Sequence, residues 1–381
     1  MVASSDNKSK KGSQIMNKNN QPQSAAQYRN PAVQQNAQPK PSAKQRKRIR
    51  FKPNKEGMAQ LLVLLLVVVV VVALVVLIAK GVIFVVDNFP AETTTSSDNQ
   101  NQTENPWNHN YGAYAEPNSN ISAGDLILVN FNHAYPHADS LNSKNLKALV
   151  DQEGYSSYFV LGTRDVKVRS TIANALTSMI SALVEANPDT LGTKSDGSRD
   201  RVIITSGYRD TAKQTELFEK NQPGYSAAPG HSEHHTGYAV DIQIFTSKEA
   251  TVLLRSAEQE WMEEHCAEYG FIIRYDGSKY ETTGILDEPW HYRYVGVPHA
   301  TYMSEHNLCL EEYLELIRTR HTYEKSPLEI KAGEKNYLVY YVAATENDTF
   351  TSIPVPPASE GTYSISGDNM NGFIVTVEKA S

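Results

Sequence analysis

The spacing of apolar side chains changes character along the chain, and each change predicts an element. Leu61 to Ala79 is 19 residues without a polar side chain, followed by Lys80. A helix of that length spans roughly 29 Å at about 1.5 Å per residue, close to the hydrocarbon thickness of a bilayer. Leu126 to Asn130 reads as a short strand. Val168 to Ala186 places Ile172, Leu176, Met179, Ile180 and Leu183 on one face, the 3.6-residue period of an amphipathic helix whose stripe is core. Val202 to Thr205 reads as a strand, and Asp210 caps a helix running to about Asn221. Tyr238 to Phe245 is a further strand. Lys248 to Tyr269 predicts a long helix with Leu253, Leu254, Ala257 and Trp261 inward, stopped by Gly270. Phe271 to Arg274 and Tyr292 to Val295 read as strands, and 297–320 as one or two helices. From about Tyr323 the period falls to two, in runs 337–342, 350–355, 363–366 and 373–377, with turn chemistry at Asp368 to Gly372.

These elements predict an α+β fold: an antiparallel sheet with flanking helices, a single N-terminal transmembrane helix and a small C-terminal all-β appendix. The predicted boundaries are a disordered tail (1–57), a membrane signal anchor (58–86), a flexible stalk (87–120), the main folded domain (121–322) and a β-rich appendix without an assigned role (323–381). Charge sharpens this division. Residues 1–57 hold 13 Lys+Arg against 2 Asp+Glu, so an overall charge of −7 conceals a tail of +11 and a remainder of −18. The tail is also poor in large apolar residues, so it cannot bury enough surface to offset its chain entropy. A cleaved signal peptide fits poorly, because the apolar run and its leader are too long and no Ala-x-Ala site follows. The basic cluster Lys44 to Lys52 directly precedes the apolar run, which predicts a cytoplasmic amino end and an extracellular folded part. Nucleic acid is not the expected partner, since the cluster lacks interleaved aromatics and lies beside the span. No obligate protein partner is evident. Cys266 and Cys309 are too few for a disulfide framework, leaving two buried thiols or one bridge open.

Candidate chemistry concentrates in His231 to Asp241, where three imidazoles and a carboxylate surround a Thr236-Gly237 turn that runs into an apolar strand. Zn²⁺ takes nitrogen and oxygen donors in a tetrahedron, with one position open in catalytic sites. His234 and Asp241 flank the turn, and Glu288-Pro289-Trp290-His291 offers both a third ligand and a carboxylate. The expected site is therefore Zn²⁺ on His234, Asp241 and His291, with Glu288 as general base. Asp241 lies on an otherwise apolar strand, where an unpaired carboxylate would cost several kcal/mol, on the order of the desolvation penalty of a buried ion. Trp290 beside Glu288 should raise its pKa. His231 and His235 are expected to line the pocket or face solvent.

Ser232-x-His234-x-x-Gly237-x-Ala239-x-Asp241 followed by Glu288-x-x-His291, together with the upstream Ser206-Gly207-Tyr208-Arg209 and Gln214, resembles the VanY-type zinc D-alanyl-D-alanine carboxypeptidases, a group that also includes VanX-type dipeptidases. The resemblance covers roughly residues 120–320. It implies that 121–322 is a zinc D,D-peptidase domain acting on peptidoglycan stem peptides. It further implies that Arg209, Gln214 and Ser232 hold the substrate's terminal carboxylate or its developing oxyanion. An endopeptidase or dipeptidase shares the same chemistry. A non-catalytic wall-binding module is a weaker alternative, because a pure binder has no use for Glu288.

Overall fold

The computed structural model describes residues 111–380, apart from 153, 154, 156 and 222–225. The predicted tail, the membrane anchor and the stalk as far as residue 110 lie outside the described residues. Among the described residues, no helix is long and apolar enough to cross a membrane.

The chain begins with β1 (Gly112–Pro117), β2 (Leu146–Ala148), β3 (Phe159–Leu161) and β4 (Lys167–Arg169), followed by α1 (Ala173–Ala186) and α2 (Pro188–Leu191). Then come β5 (Arg201–Ser206), α3 (Thr211–Lys220), β6 (Ala239–Phe245), β7 (Thr251–Val252), α4 (Ser256–His265), β8 (Phe271–Ile273), α5 (Tyr280–Thr283) and β9 (His291–Tyr294). Helices α6 (Val297–Glu305) and α7 (Leu310–Arg320) lead into β10 (Leu328–Ala332), β11 (Lys335–Ala343), β12 (Phe350–Val355), β13 (Gly361–Gly367) and β14 (Gly372–Lys379).

The central sheet has the order β3-β5-β6-β9-β8, with β7 paired to the far end of β6. It is mixed rather than wholly antiparallel, because β3 and β5 run parallel. A parallel pair needs a long crossover, and α1 lies within this one. Leu176, Met179, Ile180 and Leu183 of α1 are fully buried in one cluster with Val202 and Ile204 of β5 and Val240, Ile242 and Ile244 of β6. Each such side chain contributes about 1.5–3 kcal/mol through burial. The helix starts at Ala173 rather than Val168, because Lys167–Arg169 pairs with β2.

The predicted helix over Lys248 to Tyr269 is shorter in the structure. Thr251–Val252 pairs with β6, Leu253 is 46% exposed, and α4 begins at Ser256. Glu258 and Met262 are the inward residues of α4. The cause is ionic: Arg255 pairs with Asp200 and, at 3.0 Å, with Glu258, while Asp200 accepts the N–H of Ser247 at 2.7 Å. The predicted stripe holds in part: Leu254 and Trp261 pack half-buried against the core, whereas Leu253 and Ala257 are exposed.

A second apolar cluster joins Ile272 of β8, α6 and α7 to β10, β11 and β14, through Met303, Leu314, Ile317, Ile330, Val339 and Ile374. The C-terminal strands form an antiparallel sheet of order β10-β11-β14-β13. Strand β12 pairs instead with β1, from Gly112↔Val355 to Pro117↔Phe350. The end of the predicted stalk is therefore a strand. Its small residues gave little alternation, and backbone pairing decides its conformation. Leu126–Val129 is buried but is not a ladder strand. Its backbone is bonded by Leu126 N–H to Ser366 Oγ (3.0 Å), Leu128 N–H to Asp368 O (3.0 Å), and Arg293 Nη2 to Ile127 O (3.0 Å). Cys266 and Cys309 are free buried thiols.

Candidate metal centre

Three neighbouring strands bring the site together. Ser206 of β5 is in register with Asp241 of β6, and Asp241 with His291 of β9, so the three form one row across the sheet. A register shift between Ile204 and Ser206 precedes the row and ends regular pairing there, where the chain turns toward Arg209. His234 enters from the 3₁₀ turn Glu233–Thr236, which Gly237 terminates at φ +73°. That left-handed conformation favours glycine, and a Cβ there would also meet Leu146 Cδ2 at 3.0 Å. Gly207 is required for a different reason: a Cβ would lie 2.3 Å from Lys167 O.

One donor atom each from His234, Asp241 and His291 lies within 4.8 Å of the others, and all three residues are buried. His234 Nε2 is 3.4 Å from Asp241 Oδ1, and His291 Nδ1 is 3.2 Å from the same oxygen. The other nitrogen of His234, Nδ1, bonds Gly207 O at 2.7 Å, which turns Nε2 into the cluster. His234 Nε2 and Asp241 Oδ1 are buried without a hydrogen-bond partner. An orphaned imidazole nitrogen and an orphaned carboxylate oxygen, with His291 Nδ1 beside them, are a donor set of the kind a zinc ion takes. The residues present thus fit the expected metal.

Burial, with Arg209 adding to it, lowers the pKa of His234 to about 4, which leaves a neutral ring. Burial alone would raise Asp241, but His234 and His291 hold it well below the usual carboxylate range. Burial also disfavours charge on His291, yet the carboxylates of Asp241 and Glu233 facing its ring raise it to about 9. A cation bound here displaces that proton.

Glu288 stands beside the cluster, its Oε2 3.8 Å from His291 Nδ1. Its N–H donates to Tyr275 O at 3.0 Å, and its carbonyl accepts from His291 N–H at 3.0 Å, so a backbone turn fixes Glu288 and His291 relative to each other. Burial raises its pKa to about 7, with His291 opposing and Asp241 reinforcing the shift. Arg209 Nη1 lies 3.1 Å from Ser206 Oγ and 3.7 Å from Asp241 Oδ2, while its Nη2 reaches Ser232 Oγ at 3.5 Å. Arg209, Ser232, His234, Asp241, Glu288 and His291 all line one cavity of about 470 Å³.

Gln214 is not among the residues lining that cavity. It is fully buried, and its Nε2 donates to Ala227 O (2.7 Å) and Ser226 Oγ (3.2 Å), so it braces the loop that forms a cavity wall. His235 neither lines the cavity nor faces solvent. It is buried, with Nδ1 2.7 Å from Arg209 O and Nε2 accepting Gly230 N–H at 3.0 Å. Two residues had no place in the sequence reading. Tyr275 lines the cavity, its ring centroid 4.8 Å from that of His291. Glu233 lies behind His291, and its position next to a ligand in sequence was the only available signal.

Two imidazoles and a carboxylate converging beside a separate buried acid are the side chains of a metal-dependent hydrolase. The comparisons narrow this. A family model described as VanY, D-alanyl-D-alanine carboxypeptidase, matches residues 165–297. A D-alanyl-D-alanine carboxypeptidase of Enterococcus faecium is 32% identical over 287 residues, covering 73% of this chain and 86% of that protein. The bifunctional D-Ala-D-Ala dipeptidase and carboxypeptidase VanXYC of Enterococcus gallinarum is 34% identical over 132 residues, covering 32% of this chain and 70% of that one. Among solved structures, the vancomycin-resistance D,D-dipeptidase VanXYg with a D-Ala-D-Ala phosphinate analogue superposes with a TM-score of 0.57 at 28% identity, covering 70% of this chain and 99% of that one. The chain belongs to the VanY-type D-alanyl-D-alanine carboxypeptidase family, and it is an enzyme.

Proposed function

We propose that the protein is a membrane-anchored, extracytoplasmic zinc D,D-carboxypeptidase that removes the terminal D-alanine from peptidoglycan stem peptides. The observation that carries this reading is the convergence of three buried donor atoms beside Glu288 and Arg209 in one cavity. His234, Asp241 and His291 would hold Zn²⁺, which would supply Lewis acidity and lower the pKa of water toward about 7. Glu288 accepts a proton from the attacking water and returns it to the departing amine, work that suits a carboxyl near neutral pKa. Arg209 grips the free terminal carboxylate with its planar fork, and Ser232 adds a hydroxyl beside it. Gln214 serves from behind, by holding Ser226 and Ala227 in place.

The location rests on the apolar run 61–79 and the basic residues before it. Protease added to intact cells should remove the chain after Asp87 and spare the tail; protection of the outer part would sink the location. The reaction is tested by incubating the full chain, in detergent, with a D-Ala-D-Ala-terminated pentapeptide, its D-lactate analogue and a cross-linked dimer, with products followed by mass spectrometry. Loss of one D-alanine from the pentapeptide supports the reading. Cleavage confined to the cross-link would make the protein an endopeptidase.

A further inference from the structure

Glu233 is the most enclosed acid near the site. It precedes His234 in the 3₁₀ turn and is 1% exposed. Its Oε1 accepts from Arg274 Nε and from Arg293 Nη1, both at 2.8 Å. Its Oε2 is buried without a hydrogen-bond partner and faces His291 Nε2, which is equally buried and unpartnered, at 3.5 Å. Leaving either group unsatisfied is unfavourable, and a closure of a few tenths of an ångström makes the bond. On the opposite edge of the same ring, Nδ1 points at Asp241. A neutral imidazole that donates at Nε2 carries its lone pair at Nδ1.

We propose that Glu233 is a positioning residue for the metal centre: it takes the Nε2–H of His291 and so fixes the tautomer and ring orientation that present Nδ1 to the cation. The proposal rests on the zinc reading above. The two arginines make the arrangement stable, because a carboxylate this deeply buried needs both charge and hydrogen bonds around it. They are themselves anchored far away in sequence. Arg274 also holds Glu311, in the first turn of α7, through bonds of 2.9 and 2.7 Å, and Arg293 Nη2 donates to the carbonyls of Asp125 and Ile127 at 2.8 and 3.0 Å. A carboxylate behind a ligating histidine raises the ring's basicity, and its loss weakens metal binding by roughly 10- to 100-fold.

The test uses the full chain in detergent. Zinc affinity is measured by competition with a chromophoric chelator for wild type, Glu233→Gln and Glu233→Asp, with the visible spectrum of each Co²⁺-loaded form and the melting temperature of each metal-free form. Glu233→Gln should bind Zn²⁺ roughly 10- to 100-fold more weakly with an altered Co²⁺ spectrum, and Glu233→Asp should recover part of both. Because Glu233→Gln leaves two arginines short of a charge and could fail to fold, the wild type supplies an independent readout. Long-range ¹H–¹⁵N spectra of histidine-labelled, zinc-loaded protein should show His291 protonated at Nε2 and metal-bound at Nδ1. Zinc bound through His291 Nε2, or held by folded Glu233→Gln as tightly as by wild type, would overturn this proposal alone. A wild-type chain that binds no zinc would overturn the zinc reading and this proposal together.

Discussion

Asp241 and His291 are direct partners across the β6–β9 ladder, and Asp241 Oδ1 lies 3.2 Å from His291 Nδ1. Two of the three proposed ligands are thus spaced by backbone hydrogen bonds between strands. These two do not depend on a loop finding its place, whereas His234 is set by the 3₁₀ turn and its bond to Gly207.

The first expectation is metal dependence. Chelation should abolish hydrolysis of the pentapeptide and Zn²⁺ should restore it, while His291→Ala should lose bound metal and activity together. A verified metal-free sample that still cleaved at the native rate would rule out the zinc mechanism.

Glu288→Gln separates base from ligand. The amide cannot take a proton, so kcat should fall by at least about 10²-fold while bound zinc stays near stoichiometric. Loss of zinc from this variant would instead make Glu288 a ligand.

Arg209→Lys addresses the substrate's terminus. Lysine keeps the charge but loses the fork that now spans Ser206 and Ser232. Charge-assisted bonds are worth about 1.5–3 kcal/mol each, so amidating the terminal D-alanine should cost wild type roughly 10- to 100-fold in kcat/KM. The variant should lose mainly its advantage on the free acid. Equal rates on acid and amide, before and after substitution, would exclude a carboxypeptidase.

His299 links stability to pH. It is buried between Tyr313 Oη (2.6 Å from Nδ1) and Thr376 Oγ1 (2.9 Å from Nε2), where α6 and α7 meet the C-terminal sheet. Burial lowers its pKa from 6.5 to about 3. The unfolded chain therefore binds a proton that the folded one refuses between those values, and stability falls as pH drops through that window. Asp125, half-buried, is raised by desolvation to about 6 and works in the opposite direction between its ordinary value and 6. Comparison with His299→Gln cancels the Asp125 contribution. From pH 6.5 to 4.5, denaturant titration should show wild type losing roughly 2–3 kcal/mol more than the variant. Parallel pH profiles would refute the linkage.

The donor set was legible in the sequence because His234 and Asp241 flank one turn and His291 follows Glu288 at a fixed spacing. The row Ser206–Asp241–His291 was not, since strand order leaves no trace in local period. Glu233 escaped because an acid in a short turn reads as solvated, and only the convergence of Arg274 and Arg293 shows otherwise. The Lys248 to Tyr269 helix was overextended because Asp200, some fifty residues upstream, holds Arg255 just ahead of where α4 begins. The direction of β3 against β5 was likewise invisible in three-residue runs.

The pairing of β1 with β12 bears on how the enzyme is made. The side chain of Asn118, just after β1, bonds the carbonyl of Thr345 across 227 positions of sequence. Synthesis delivers β12 long after β1. At about 5–20 residues per second, β1 waits on the order of ten seconds or longer before its ladder can close. Through that interval its edge is open to foreign strands. A chain begun at residue 121 would transfer the hazard to β12, whose unpaired edge would then persist in the finished protein. The shortened form is expected to aggregate more readily than the full chain, which light scattering at matched concentration checks.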